Sequence, residues 1–119
     1  MSERFNCAMK GTVFTPEETA ARLENASFIY ACMVPICREH GYALAMHGTK
    51  IRDIDLIAVP WTEKAIPHVD LVMELASRLI LTLAPYKYDN PHGRFSIAMF
   101  HEDFPTQQID LSIVPVIRP

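Results

Sequence analysis

The sequence predicts an α/β or α+β sandwich, with helices packed on one mixed sheet of about four strands. Two stretches carry apolar residues at helical spacing, and four shorter apolar runs bounded by glycine or proline read as strands. Their order is helix, strand, strand, helix, strand, strand. A third observation bears on chemistry: carboxylates stand inside two of the expected strands, where Asp is depleted and a buried unpaired charge is costly.

Residues 1–14 have little periodicity and read as an irregular arm. Thr15-Pro16-Glu17-Glu18 then has the residues of a helix start, with Thr15 as N-cap, Pro16 in the first helical position and Glu18 closing a capping box. Leu23, Ala26, Tyr30, Met33 and Cys37 recur at steps of three and four, giving one apolar stripe. Pro35 predicts a kink, or a break near Val34, and Gly41 is the expected C-cap.

Tyr42 to Met46 is the first strand, and His47-Gly48-Thr49 turns the chain into a second at about 51–59, ended by Pro60. In that second strand Ile57 and Val59 lie on one face and Ile54, Leu56 and Ala58 on the other, so its far end reads as buried on both sides. Leu71, Val72, Leu75, Ala76, Leu79 and Leu83 form another helical stripe, with Glu74 and Arg78 spaced for an i,i+4 pair on the solvent side. That helix is expected to stop before Pro85. Pro85 to Gly93 reads as a loop, followed by strands at about 94–101 and 108–114.

With 119 residues, half of them apolar, the chain fits a single domain with a core large enough to fold unaided. A formal net charge of -3 and a pI near 5.9 give no blanket basic surface, so strong nonspecific nucleic-acid binding is not expected. Three cysteines and no signal-peptide pattern point to free thiols in the cytoplasm. No apolar run approaches the roughly 20 residues of a membrane helix.

Asp53 and Asp55, at i and i+2, project from one face of a strand about 6 to 7 Å apart along the backbone. Asp110 repeats the oddity within Gln108-Ile109-Asp110-Leu111-Ser112. If the last strand lies near the second, three hard oxygen ligands meet at one sheet end, a set suited to Mg²⁺.

His47-Gly48-Thr49, then Asp53-Ile54-Asp55-Leu56, then Ile109-Asp110-Leu111 resembles the signature of the DNA polymerase beta-like nucleotidyltransferase superfamily. That signature is an apolar residue with Gly-Ser or Gly-Gly, an Asp-x-Asp/Glu pair between apolar residues, and a third acidic residue in a later strand. The resemblance spans about residues 15–115 and is nearest to small phage or prophage proteins carrying His-Gly-Ser-x-x-x-Asp-x-Asp-Leu-Ile-Ala-Val-Pro-Trp. It implies a nucleotidyltransferase-like fold and transfer of a nucleoside monophosphate from a nucleoside triphosphate to an unidentified acceptor hydroxyl. By the same resemblance Asp53, Asp55 and Asp110 would be catalytic and would ligate Mg²⁺ or Mn²⁺, with Asp110 accepting the hydroxyl proton. Gly48, Thr49, Lys50, Arg52 and Arg94 would bind the triphosphate.

Only Lys50, Ile51 and Arg52 separate Thr49 from the acidic pair, whereas the usual pattern has a longer, often Arg-containing segment. A catalytically degenerate nucleotide-binding or partner-binding domain is therefore the alternative, and a structural domain with a solvated acidic cluster is a third. Asp53 alone is equally well a strand-end carboxylate paired with Arg52, and Gly48-Thr49 equally well a hairpin turn. Cys32, Cys37 and His40 lack zinc-ligand spacing. His47 reads as a surface imidazole, Trp61 as a core-edge aromatic, and Pro91-His92-Gly93-Arg94 as a turn. Assembly into a homo-oligomer is left open by the sequence.

Overall fold

The computed structural model describes residues 13–89 and 93–116, the side chains of 85–89 excepted. Helix α1 spans Pro16–Glu39. It starts on the expected capping box: Thr15 Oγ1 accepts from the Glu18 amide at 3.0 Å, and Glu18 Oε1 accepts from the Thr15 amide at 2.8 Å. The expected arm lies outside the described residues as far as residue 12.

The core face of α1 is Ala26, Ile29, Met33, Ile36 and Cys37, whereas Leu23 is 40% exposed. The stripe is rotated from the expected one because Ile29 and Ile36, omitted from it, set its centre. Pro35 does not end the helix. Both Pro35 and Ala31, whose carbonyl loses its partner to the proline, are exposed to water. Burial pushes the Cys37 thiol up to about 12, so it packs as a small neutral hydrophobe.

Strand β1 spans Tyr42–His47 and β2 spans Ile54–Pro60, antiparallel to it. Helix α2 spans His68–Leu79 and buries Leu71, Val72 and Leu75. Glu74 and Arg78 do not pair with each other on α2. Instead Arg78 donates to Glu39 at 3.0 Å and Glu74 lies 3.2 Å from His40 Nε2, so both acts of pairing tie α2 to the end of α1.

The chain then departs from expectation. Leu81–Asp89 forms β3, so the sheet has five strands rather than about four, and residues 85–89 of the expected loop are strand instead, while 90–92 lie outside the described residues. Leu83 belongs to this strand, separated from α2 by Ile80 in the left-handed conformation (φ 55°). Pro85 is tolerated because β3 is an edge strand and its pairing shifts between Leu83 and Lys87.

Strand β4 spans Phe95–His101 and β5 spans Ile109–Ile113. The sheet order is β1-β2-β5-β4-β3, with β2 and β5 parallel and the other neighbours antiparallel. Ile54, Leu56, Ala58, Ile97, Met99, Ile109, Leu111 and Ile113 face the helices and are buried. The other face is open: Val59 is 40% exposed, so β2 is not buried on both sides as expected. No helix among the described residues is long and apolar enough to cross a membrane.

Candidate metal and nucleotide site

Placing β5 directly beside β2, in parallel, decides the geometry of the acidic residues. Asp55 stands opposite Asp110 in the register, and both alternate with buried neighbours, which puts their side chains on the open face. Asp53 precedes β2, yet its backbone is held on both sides. Arg22 donates from Nη2 to the Arg52 carbonyl at 2.9 Å, and the Ile54 amide donates to the Gln108 carbonyl at 2.8 Å. One carboxylate oxygen from each of Asp53, Asp55 and Asp110 lies within 4.8 Å of the others.

Such crowding of like charge leaves an electrostatic mark. The Asp53 pKa is raised, first by burial and then by Asp55, against the opposing charges of Arg22 and Arg52. Asp110 is raised by burial as well. The Gln108 side-chain amide, donating to Asp110 Oδ1 at 2.5 Å, opposes this, while Asp53 and Asp55 add to it. Three half-buried hard oxygen donors that repel one another suit a divalent cation such as Mg²⁺ or Mn²⁺, which relieves the repulsion by binding.

The β1–β2 turn closes one side. Gly48 has φ +78°, and a Cβ there would meet Asp55 Oδ2 at 3.0 Å. Gly48→Ala is expected to cost about 1–2 kcal/mol in left-handed backbone strain. It should also displace the Asp55 carboxylate. Thermal melts and Mn²⁺ titration of this variant check both effects, and unchanged Mn²⁺ affinity would show that the turn does not shape the site.

The remaining expected substrate residues are placed unequally. Thr49 is exposed, its Oγ1 accepting from the Ile51 amide at 3.5 Å. Lys50 is held at φ 67°, and the charge of Arg52 reaches Asp53. Arg94 is not brought to the acidic cluster. Because β4 runs antiparallel to β5, Ala98 stands opposite Asp110 and Phe95 opposite Ile113, which leaves Arg94 at the far end of β4. Its Nε is buried without a hydrogen-bond partner among the described residues. Of the turn around it, Pro91 and His92 lie outside the described residues.

Four residues absent from the sequence-based list support the site: Arg22, Asn25, Gln107 and Gln108. Only Gln108 carried a readable signal, since it is two residues before Asp110 and so shares its strand face. Gln107 is the buried polar residue among the described residues, and nothing local in the sequence distinguishes it from a solvated loop amide.

Comparison with known proteins matches no family model and no curated protein. Solved structures do match. The Cid1 poly(U) polymerase with MgGTP bound superposes with a TM-score of 0.55 at 11% identity, covering 89% of this chain and 35% of that one. The fold is nucleotidyltransferase-like. A Cid1 structure described for its RNA terminal uridylyl transferase activity gives the same TM-score and covers 34% of that chain. A cytoplasmic RNA terminal U-transferase gives 0.53, with 33% of its chain covered. This chain thus spans about a third of the structures it matches. The narrower likeness to small phage or prophage proteins gains no support from them.

Proposed function

We propose that this single-domain chain is a metal-dependent nucleotidyltransferase, moving a nucleoside monophosphate from a nucleoside triphosphate to an acceptor hydroxyl. The observation that carries the reading is the approach of Asp53, Asp55 and Asp110 to within 4.8 Å across two parallel strands. Asp55 and Asp110 stand inside strands between buried apolar neighbours and Asp53 immediately precedes β2, positions where carboxylates are uncommon.

Asp53, Asp55 and Asp110 would hold Mg²⁺ or Mn²⁺, which when bound supplies positive charge at the reacting phosphate and hydroxyl. Asp110, with its raised pKa, accepts the proton of the attacking hydroxyl. The hydroxyl oxygen forms a bond to the α-phosphorus, the bond from that phosphorus to the bridging oxygen breaks, and pyrophosphate leaves. Gly48 and Thr49 offer backbone and hydroxyl groups to the phosphates, and Lys50 and Arg52 offer charge.

A second reading, nucleotide binding without turnover, is favoured by the short 50–52 connection, whose backbone carbonyls already accept from Arg22 and Gln107. Calorimetry with Mn²⁺ and each nucleoside triphosphate, on wild type and Asp55→Ala, tests the shared part. Metal-dependent binding in wild type and none in the variant is the expected result. Equal behaviour of the two proteins would remove both readings. Pyrophosphate release on adding candidate hydroxyl acceptors separates turnover from binding alone.

A further inference from the structure

We propose that Arg22 and Gln107 are positioning residues, holding segment 50–52 and through it the Asp53 carboxylate beside Asp55 and Asp110. Arg22 reaches from α1 with a two-pronged grip: Nε donates to the Ile51 carbonyl and Nη2 to the Arg52 carbonyl at 2.9 Å. Its guanidinium is stacked 4.4 Å from the Phe14 ring centroid, which fixes the fork in place. Gln107 is fully buried. Its Nε2 donates to the Lys50 carbonyl at 3.2 Å and to the carbonyl of Arg22 itself at 2.9 Å, while its Oε1 accepts from Asn25 at 2.9 Å. Every hydrogen-bonding group of the Gln107 amide is thus committed.

The carbonyls of three successive residues, 50, 51 and 52, are held by these two side chains immediately before Asp53. The chain bends through this segment with Lys50 at φ 67° and no glycine between Gly48 and Asp53 to ease it. Left ungripped, a segment this short and partly left-handed has other conformations available, and Asp53, lying outside the β2 ladder, would follow it. The two side chains also join the segments leading into both acidic strands, because Gln107 is followed by Gln108, whose carbonyl and amide serve Ile54 and Asp110. The role rests on the site reading given above for the acidic cluster, but it is testable without a metal.

The test compares Arg22→Gln, Arg22→Lys and Gln107→Met with Val72→Ala, a core truncation on α2 that loses stability away from the site. In the metal-free proteins, NMR order parameters at residues 51–53 are expected near about 0.85 in wild type and Val72→Ala, and below about 0.6 in the other three. Mn²⁺ affinity is expected to fall about 10- to 100-fold in those three alone. Arg22→Lys keeps the charge but loses the fork, so it should behave like Arg22→Gln. Restoration by Lys would assign the effect to charge and overturn the proposal, as would unchanged order at 51–53. If wild type itself binds no Mn²⁺, the proposed function fails while the order parameters still decide the role of the two residues. If Gln107→Met does not fold, the half-exposed Arg22 variants carry the comparison.

Discussion

Asp110→Asn is expected to abolish metal-dependent nucleotide binding and, in the metal-free protein near neutral pH, to raise the melting temperature. The two effects have one cause. Asp110 stands half-buried with the oxygens of two other carboxylates within 4.8 Å, and its pKa is raised by burial and by Asp53 and Asp55. An acid raised in the folded state binds more protons folded than unfolded between its two pKa values. Stability therefore falls as pH rises through that window, and above the folded value the full cost is present. Asparagine has nearly the same shape, keeps an oxygen for Gln108 Nε2 to donate to, and carries no charge. Its gain is expected as a higher melting temperature near neutral pH that disappears at acid pH, where both side chains are uncharged.

With Mn²⁺ and nucleotide the ranking should reverse. Wild type gains about 2.7 kcal/mol when ligand stands 100-fold above its Kd, and the variant gains nothing because a hard anionic ligand has become a neutral amide. Thermal melts from about pH 4 to 7, with and without metal, check every part. Without metal, wild type should lose stability as pH rises from the ordinary carboxylate value of about 4 through the raised folded value, and Asp110→Asn should lose less. A metal-free variant that melts below wild type at neutral pH would mean that the cluster is held together by hydrogen bonds rather than strained by charge.

What the sequence could not convey about this site is the part that depends on neighbours distant in the chain. Asp53, Asp55 and Asp110 were legible because a carboxylate breaks an apolar strand pattern, and that anomaly is local. Their convergence required β5 to lie beside β2, and the structure places it there. The cap on α1 was likewise local, with Thr15, Pro16 and Glu18 adjacent in sequence. Strand β3 was not legible, since Pro85 reads as a loop signal unless the strand is known to lie on an edge. The gripping of Lys50, Ile51 and Arg52 by Arg22 and Gln107 spans 29 to 57 residues, and no periodicity announces such a contact. Arg94 was misplaced for a related reason: whether the start of a strand falls near or far from a site depends on its direction in the sheet.

Gly41→Ala is expected to be the most damaging alanine substitution among the described glycines. Gly41 follows α1 with φ +88°, so any side chain there meets left-handed strain of about 1–2 kcal/mol. The added Cβ would also stand 2.6 Å from both the Cα and the N of Ala65 and 2.7 Å from Thr62 Oγ1. Two of those three atoms are backbone, which cannot swing aside as a side-chain end can. Nor is the opposing loop free to retreat. The Trp61 amide donates to the Gly41 carbonyl at 3.1 Å, the Ile66 amide to the His40 carbonyl at 3.2 Å, and the buried Tyr42 hydroxyl to the Ile66 carbonyl at 2.6 Å. Relief of the clash must therefore break hydrogen bonds that lace loop 61–67 to the α1–β1 turn. Adding about 1–3 kcal/mol of overpacking to the strain gives a loss of about 2–5 kcal/mol, a large share of the usual 5–15 kcal/mol for a domain. A fall in melting temperature of at least about 6 °C is the expected reading. At Gly48 the added methyl faces a carboxylate rather than backbone, so Gly48→Ala should cost less stability but more metal affinity. If both glycine variants lost stability equally and bound Mn²⁺ equally, the close approach of the β1–β2 turn to Asp55 would have no functional consequence.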